Sequence, residues 1–423
     1  MKVLIVGAGL GGLCLAHCLQ KAGIDVLVFE RRAQNGDEHA GYGIHLDANG
    51  RRALRSCIPA PNWAAFQQKS TTAGTQLFFR DTNLRVLAER DDAKVSGQPA
   101  REVERRAIGR MELRDLLLYG LADGPSPRIR WNSSFSHYIQ LDDGRVRVHF
   151  EGDTTEEGDV LVGADGANSK VRQQYLPDVE RLDLGIAAIA GRCVLDERSL
   201  EGLPTEMING SLNNIVPSSR GWMFVSSWNL PDIKSHANKD KKSLQMVWAF
   251  VSSQEELPLD VDRLKPRELQ QLVIQGIRDW SPALKNLVMR ADKHTISLIP
   301  LRCMPFLDPW TPSNITVLGD AIHNMTPMAG VGANTALRDA ELLTEVLVDA
   351  AAGSLTVTEA IGLYEEKMRL YANNAVGLSR RNAESASSGH VLQRRMFRTL
   401  LRAAQTFPVV MRKTTGRSAM VRQ

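Results

Sequence analysis

Apolar residues along this chain come in two rhythms. Val3 to Val6 and Val26 to Phe29 are short unbroken apolar runs, the pattern of parallel strands buried on both faces. Between them a glycine turn leads into an apolar helix over about Leu13 to Lys21, which Gly23 ends. Strand, helix and strand make a βαβ unit. Gln76 to Phe79 and Arg85 to Ala88 read as short strands around Asp81-Thr82-Asn83. Arg110 to Leu121 reads as a helix through Leu113, Leu116 and Leu117. Arg128 to Phe150 reads as antiparallel strands turning at Asp142-Asp143-Gly144, and Val160 to Val162 as another buried strand.

The character shifts between Gly185 and Pro300. The β-like runs there are Ile186 to Val194, Trp222 to Trp228, Leu244 to Val251 and Thr295 to Leu298, with a helix at Glu268 to Asp279. Ile315 to Leu318 returns to the buried-strand style. A long helix follows the Gly319-Asp320 pair to about Ala351, and helices are expected beyond it. In the middle stretch Trp222, Phe224, Ser226 and Trp228 alternate, as do Met246, Trp248 and Phe250, so each strand has one aromatic face. Such a face packs either a helix, here Leu272 and Ile277, or a planar ligand. Trp228, taken as the end of its strand, is the better ligand candidate.

Composition narrows the classes. A 423-residue chain that is 43% hydrophobic and 24% charged has globular usage and enough length for two cores. A net charge of +4 is too small to argue for nucleic acid, and none is expected as a partner. That charge is uneven: Arg380 to Gln423 holds ten Lys/Arg against Glu384 alone. Arg394, Arg395, Arg398 and Arg402 then form a solvated helix face or, less favoured, hold the tail at an anionic membrane. The five cysteines show no metal spacing, and Cys14 and Cys18 are one helical turn apart, where packing is usual. A reducing, cytoplasmic compartment is expected. Gly7, Gly9, Gly11 and Gly12 interrupt the N-terminal apolar run, so it is not read as a signal peptide. No apolar stretch approaches the ~20 residues of a membrane helix.

Gly7-Ala8-Gly9-Leu10-Gly11-Gly12 fits G-x-G-x-x-G between strand and helix. Gly7 permits the tight turn, Gly9 lets a pyrophosphate approach the backbone, and Gly12 lets helix and strand pack closely. Glu30 closes the second strand, 18 residues after Gly12, where a carboxylate can accept from ribose hydroxyls. It would repel a 2′-phosphate, which disfavours NADP at this site. The unit does not separate NAD from FAD.

Two further motifs do. Gly163-Ala164-Asp165-Gly166-Ala167-Asn168-Ser169-Lys170-Val171-Arg172 resembles the D-G box of flavoprotein hydroxylases. Gly319-Asp320-Ala321-Ile322-His323, then Pro327, Gly330-Val331-Gly332-Ala333-Asn334 and Asp339-Ala340, resembles their G-D box. With the glycine fingerprint, all three stand in family order. The chain resembles the group A, single-component FAD monooxygenases of the para-hydroxybenzoate hydroxylase fold. The stretch from Gly185 to Pro300 carries no comparable signature.

The resemblance implies an α/β fold: a Rossmann-type FAD-binding domain over 1–72, 100–184 and 300–352, an inserted mainly β substrate domain over 73–99 and 185–299, and a C-terminal helical segment over 353–423. It implies that Gly7, Gly9, Gly12, Glu30, Arg31, Arg110, Asp165, Asp320, Gly330, Gly332, Ala333 and Asn334 hold FAD. Asp165 is shared with NAD(P)H, and Pro327 lies beside the flavin ring. The helix opened by Gly330 to Asn334 would set backbone N–H groups and a positive dipole end at the flavin. Val331 stands where the family often has Gln, which removes a side-chain hydrogen bond there. The segment Gly41 to Asp47, with His45 and Asp47, runs beside the flavin in the family; a strand with solvent-facing polar residues is the reading slightly favoured here. His45, Trp222, Phe224 and Trp228 are the substrate candidates. His323 is read as a packing or capping residue rather than a base. Arg172 pairs either with a surface carboxylate or with a phosphate. No metal site is expected.

The implied reaction takes NAD(P)H, O2 and a small molecule to an oxygenated product and water. Flavin reduced by hydride adds O2 at C4a and passes the distal oxygen of the hydroperoxide to an electron-rich, phenolic or polyketide-like aromatic carbon. The cofactor carries this chemistry, so no obligatory acid or base is expected. A Baeyer–Villiger or epoxidation outcome, a non-oxygenating flavin oxidoreductase and a redox-inert FAD-binding module stay open. A halogenase would need W-x-W-x-I-P, and a two-dinucleotide-domain enzyme a second G-x-G-x-x-G; neither occurs.

Overall fold

The computed structural model describes residues 1–34, 42–123, 127–196, 200–231 and 242–406. Two sheets organise them. The first is a five-stranded parallel sheet in the order Ile315–Val317, Val160–Gly163, Lys2–Val6, Asp25–Phe29, Ile129–Arg130. Val3, Leu4, Ile5, Val160, Leu161 and Val162 are fully buried, which is why these strands read as continuous apolar runs. The helix Leu10–Lys21 packs against this sheet, and the helix Gly332–Ala351 packs on that helix.

The second sheet has seven strands: Ser297–Cys303, Leu182–Val194, Lys242–Ser253, Trp222–Pro231, Leu212–Ile215, Gln76–Arg80 and Val86–Asp91. It draws strands from both stretches on either side of the D-G box. It reaches Leu182 and Cys303, past both edges of the Gly185 to Pro300 region. Helices Pro266–Gly276 and Pro282–Met289 cover one face. A three-stranded sheet, Gly43–Leu46, Arg106–Gly109 and Thr71–Thr72, packs against the strand Trp222–Pro231 of the seven-stranded sheet and beside the helix Gly332–Ala351.

Several expectations are corrected. Ile129–Arg130 pairs in parallel with Val28 and Phe29; only Phe135–Gln140 and Val146–Phe150 make the antiparallel hairpin of that run. Lys293–Thr295 is a 3₁₀ turn, and its strand starts at Ser297. Trp228 does not end its strand, which continues to Pro231. The long helix does not follow Gly319-Asp320 directly: a one-turn helix, Asp320–His323, and a loop through Pro327 come first.

Two helices follow, Val357–Ser387 and Val391–Thr406. The second does not leave its arginines as one solvated face. Arg394 is buried, donates to the carbonyls of Ser388 and Ala386, and lies over the Trp222 ring. Arg398 donates to the Val216 carbonyl at 2.7 Å. Residues 407–423 of the basic tail lie outside the described residues. Among the described residues no helix is long and apolar enough to cross a membrane.

Candidate cofactor and substrate site

The glycine turn at the end of Lys2–Val6 is built for close approach. Gly7 has φ +113°, and a Cβ there would stand 2.3 Å from the Ala164 carbonyl oxygen. A Cβ on Gly12 would stand 2.2 Å from the Gly7 carbonyl oxygen, so helix and strand are already in contact. Gly9 differs: its nearest neighbour would be 4.0 Å away. Gly9 is also the N-cap of its helix and has no side chain to cap it. The uncapped N–H groups and the positive dipole end at Gly9 make a fitting seat for a pyrophosphate.

Glu30 has a second role that the sequence did not reveal. One carboxylate oxygen accepts the Ala8 N–H at 2.9 Å and the other accepts the Arg32 N–H at 3.0 Å. It therefore fixes the glycine turn from the neighbouring strand, and each oxygen keeps a lone pair for a ribose hydroxyl. Arg31 is exposed, as is Arg110, whose backbone N–H donates to the Tyr42 carbonyl. The arginine that reaches the turn is Arg114, one helical turn on, whose Nε donates to the Ala8 carbonyl at 3.2 Å. Its guanidinium also lies 5.8 Å from the Trp131 ring centre. The i, i+4 spacing of Arg110 and Arg114 was the available signal.

The D-G box turns over Asp165. One carboxylate oxygen accepts the N–H groups of Lys170 and Val171 at 2.8 and 3.4 Å. The other is buried without a partner, and burial pushes the carboxyl above its usual range. A buried acceptor with no donor fits a hydroxyl of a bound cofactor. Arg172 meets neither expectation. It is buried and donates to the Ala321 carbonyl at 2.9 Å and the Ala167 carbonyl at 3.2 Å. It ties the D-G box to the G-D box through backbone rather than pairing with a carboxylate at the surface.

The G-D box hangs on Asp339. Gly319 adopts φ +63°, ψ −143°, a conformation open mainly to glycine, and turns Asp320 out to an exposed position at the start of its short helix. Asp339 is fully buried. It accepts the Gly319 N–H at 2.8 Å and His323 Nε2 at 2.6 Å on one oxygen, and the Tyr371 hydroxyl at 2.6 Å on the other. Burial opposes charge on His323, but the Asp339 carboxylate, with Asp320 adding to it, raises the imidazole above its ordinary value. His323 is thus a buried partner of Asp339.

Pro327 opens a 3₁₀ turn that ends at Gly330, with φ +65°, and the helix from Gly332 starts without a side-chain cap. Gly332 and Ala333 are half-buried at that uncapped end. The Asn334 side chain turns the other way. Its Oδ1 accepts the Asp47 N–H at 3.0 Å, and its Nδ2 donates to the His45 carbonyl at 3.0 Å. The strand Gly43–Leu46 is thereby held beside the G-D helix; Gly41 lies outside the described residues.

That strand also touches the seven-stranded sheet. His45 Nε2 is 3.0 Å from Ser226 Oγ, the Tyr42 hydroxyl is 3.1 Å from Ser297 Oγ, and a Cβ on Gly43 would enter the Trp228 ring at 2.6 Å. Burial, with the Arg105 guanidinium adding to it, pushes His45 down to about 3, so its ring is neutral at pH 7. Trp228 and Phe224 share one cluster with Tyr42. Trp222 is elsewhere: it packs with Phe397 of the last helix and donates to Asn214. The face of Met246, Trp248 and Phe250 packs on Leu269, Val273 and Ile277, as ordinary core. A cavity of about 200 Å³ lies between Ile299–Arg302 at the sheet edge and the loop Asn324–Pro327. Among the described residues no cluster of His, Cys, Asp or Glu could hold a metal.

The family model described as an FAD binding domain matches residues 1–183 and 290–379. A solved structure described as an FAD-containing monooxygenase, from Photorhabdus luminescens subsp. laumondii TTO1, is 42% identical. It superposes with a TM-score of 0.82 over 91% of this chain and 98% of that one. The chain belongs to the FAD-dependent monooxygenases. FAD is the cofactor of this monooxygenase. The monooxygenase is 30% identical over 397 residues to the dual O-methyltransferase/FAD-dependent monooxygenase CTB3 of Cercospora beticola. That match takes in 88% of this chain but 45% of the relative, so the chain spans about half that protein's length. The fold is shared with Klebsiella pneumoniae HpxO, solved with FAD and uric acid: TM-score 0.76, 18% identity, 97% of this chain and 95% of that one.

Proposed function

We propose that this monooxygenase uses NAD(P)H and O2 to hydroxylate a small aromatic molecule, phenolic or polyketide-like, held between the Pro327 loop and the Phe224–Trp228 face. One observation supports this most. The strand Gly43–Leu46 is bound to the G-D helix through Asn334 and to the seven-stranded sheet through His45, Tyr42 and Trp228. The start of the G-D helix and the aromatic face are thereby both tied to one strand. The bound flavin supplies O2 activation once reduced. The chain's part is to seat the cofactor on Gly9 and the Gly332 helix end, to orient a planar substrate on aromatic rings, and to exclude water with them. A neutral His45 fixed by Ser226 serves as a donor or acceptor for a substrate hydroxyl rather than as a base at pH 7.

The experiment is a screen for phenol- or polyketide-stimulated NAD(P)H oxidation by the FAD-loaded protein, with oxygenated product identified by mass spectrometry. Turnover of such compounds with equal rate in the absence of O2 would turn the reading to a non-oxygenating oxidoreductase. In the same assay, Trp228→Ala is expected to keep its FAD, weaken substrate stimulation and leak more peroxide. An unchanged substrate response in a folded Trp228→Ala protein removes this ring from the site.

Asp320→Ala is expected to lower FAD affinity about tenfold or more, because ribityl hydroxyls lose a charged acceptor. The exposed carboxylate makes little contribution to the fold, so the melting temperature of the apoprotein stays near that of the parent. Asp165→Ala is expected to weaken FAD less and to slow flavin reduction by NAD(P)H as well. Titration of apoprotein with FAD, followed by flavin fluorescence, separates the two; equal affinity in Asp320→Ala and parent removes the role given to Asp320.

A further inference from the structure

The helix Val391–Thr406 is apolar on two sides. Its inner side, with Phe397, Leu401 and Ala404, packs on Trp222, Ala383 and Ala386. Its outer side sets Leu392, Met396 and Leu400 at i, i+4 and i+8, so they share one stripe. They are 79%, 68% and 40% exposed. A single exposed leucine needs no explanation, but three in register on a docked helix do. Arg395 stands exposed beside the stripe.

Charge selects what covers the stripe. From Ser385 to Gln423 the sequence contains no acidic residue and eight basic ones, Arg394, Arg395, Arg398, Arg402, Arg412, Lys413, Arg417 and Arg422, of which Arg394 and Arg398 are engaged on the inner side. A second copy would bring the same sign against itself. An anionic bilayer brings the opposite sign and accepts exposed apolar side chains at the boundary of headgroups and acyl chains. We infer that the outer face of Val391–Thr406 docks this enzyme on anionic membrane surfaces. Leu392, Met396 and Leu400 enter the interface, and the exposed Arg395 beside them meets lipid phosphates. The inner face holds the helix on the seven-stranded sheet, so docking leaves the cofactor segments untouched.

The test is co-sedimentation of the full-length FAD-loaded protein with sucrose-filled vesicles, of phosphatidylcholine alone or of phosphatidylcholine and phosphatidylglycerol in a three-to-one ratio. Binding is expected to the anionic vesicles only, and weaker at high salt because ion pairs with the headgroups are screened. A triple variant, Leu392→Gln, Met396→Gln, Leu400→Gln, is expected to lower the partition coefficient at least tenfold with FAD content and melting temperature unchanged. Parent protein that pellets no better with anionic vesicles than with neutral ones overturns the inference. A triple variant that binds as well as the parent also does so. So does light scattering that shows a parent dimer broken by the triple variant, since the stripe is then an interface between copies.

Discussion

Asp339→Ala is expected to lose about 3–5 kcal/mol of folding stability, the usual cost of breaking a buried charge pair by removing one partner. The cause is local and threefold. The variant strands the Gly319 N–H, the His323 ring and the Tyr371 hydroxyl, all of which converge on one buried carboxylate. Gly319 sits in a conformation held by that bond, so the segment carrying Asp320 loosens as well. FAD content should fall with stability. Asp339→Asn keeps an acceptor for Gly319 and Tyr371 and is expected to lose less. Urea denaturation of the three proteins checks the order; an Asp339→Ala protein as stable as the parent would exclude this account.

The same pair sets a pH dependence. In the folded chain His323 has its pKa raised above the ordinary 6.5, through Asp339 acting against burial. Its contribution to stability is therefore fully present below 6.5 and is lost as pH rises through the raised folded value. In Asp339→Asn the burial remains and the carboxylate is gone, so this fall with rising pH should disappear. Denaturation midpoints measured across that range in the two proteins give the comparison.

Gly12→Ala and Gly9→Ala are expected to fail in different ways. A methyl on Gly12 meets the Gly7 carbonyl oxygen at 2.2 Å, a backbone atom held by the sheet. The helix Leu10–Lys21 must move away, at a cost of about 3 kcal/mol or more. Melting temperature and FAD content should both drop. A methyl on Gly9 meets nothing nearer than 4.0 Å, and its backbone is extended, so the apoprotein should melt like the parent. FAD affinity should still fall about tenfold or more, ~1.4 kcal/mol, because the methyl occupies the approach to the uncapped helix end. Full FAD affinity in Gly9→Ala would show that the pyrophosphate does not lie there.

How much was legible follows from the reach of each signal. Gly7, Gly9 and Gly12, the buried strands and the two boxes were readable because local spacing determines them: a turn, a period and a motif each span one short continuous stretch of chain. Long polar side chains were not. Arg110 and Arg114 have the same chemistry one turn apart, and only the packing of their helix beside the glycine turn decides that Arg114 meets Ala8. Arg172 read as a surface or phosphate ligand because arginine usually is one; its burial under the G-D box comes from elements 149 residues apart in the chain.

The sequence by itself determined the parallel sheet with its glycine turn, the FAD assignment, and the presence of two aromatic stripes. The sheet, the turn and the stripes rest on short-range sterics and on a period of two, which hold wherever the chain goes, and the FAD assignment rests on the resemblance of the two boxes to those of a known family. Tertiary structure alone decided what each stripe faces. Trp248 meets a helix, Trp228 meets Gly43, and Trp222 meets the last helix, although all three obey the same alternation. It likewise decided that Asp339 gathers three donors, and that the last helix buries Arg394 while exposing Leu392. Alternation fixes which residues share a face; only the assembled layers bring a partner to that face, and the free energy of burial depends on the partner.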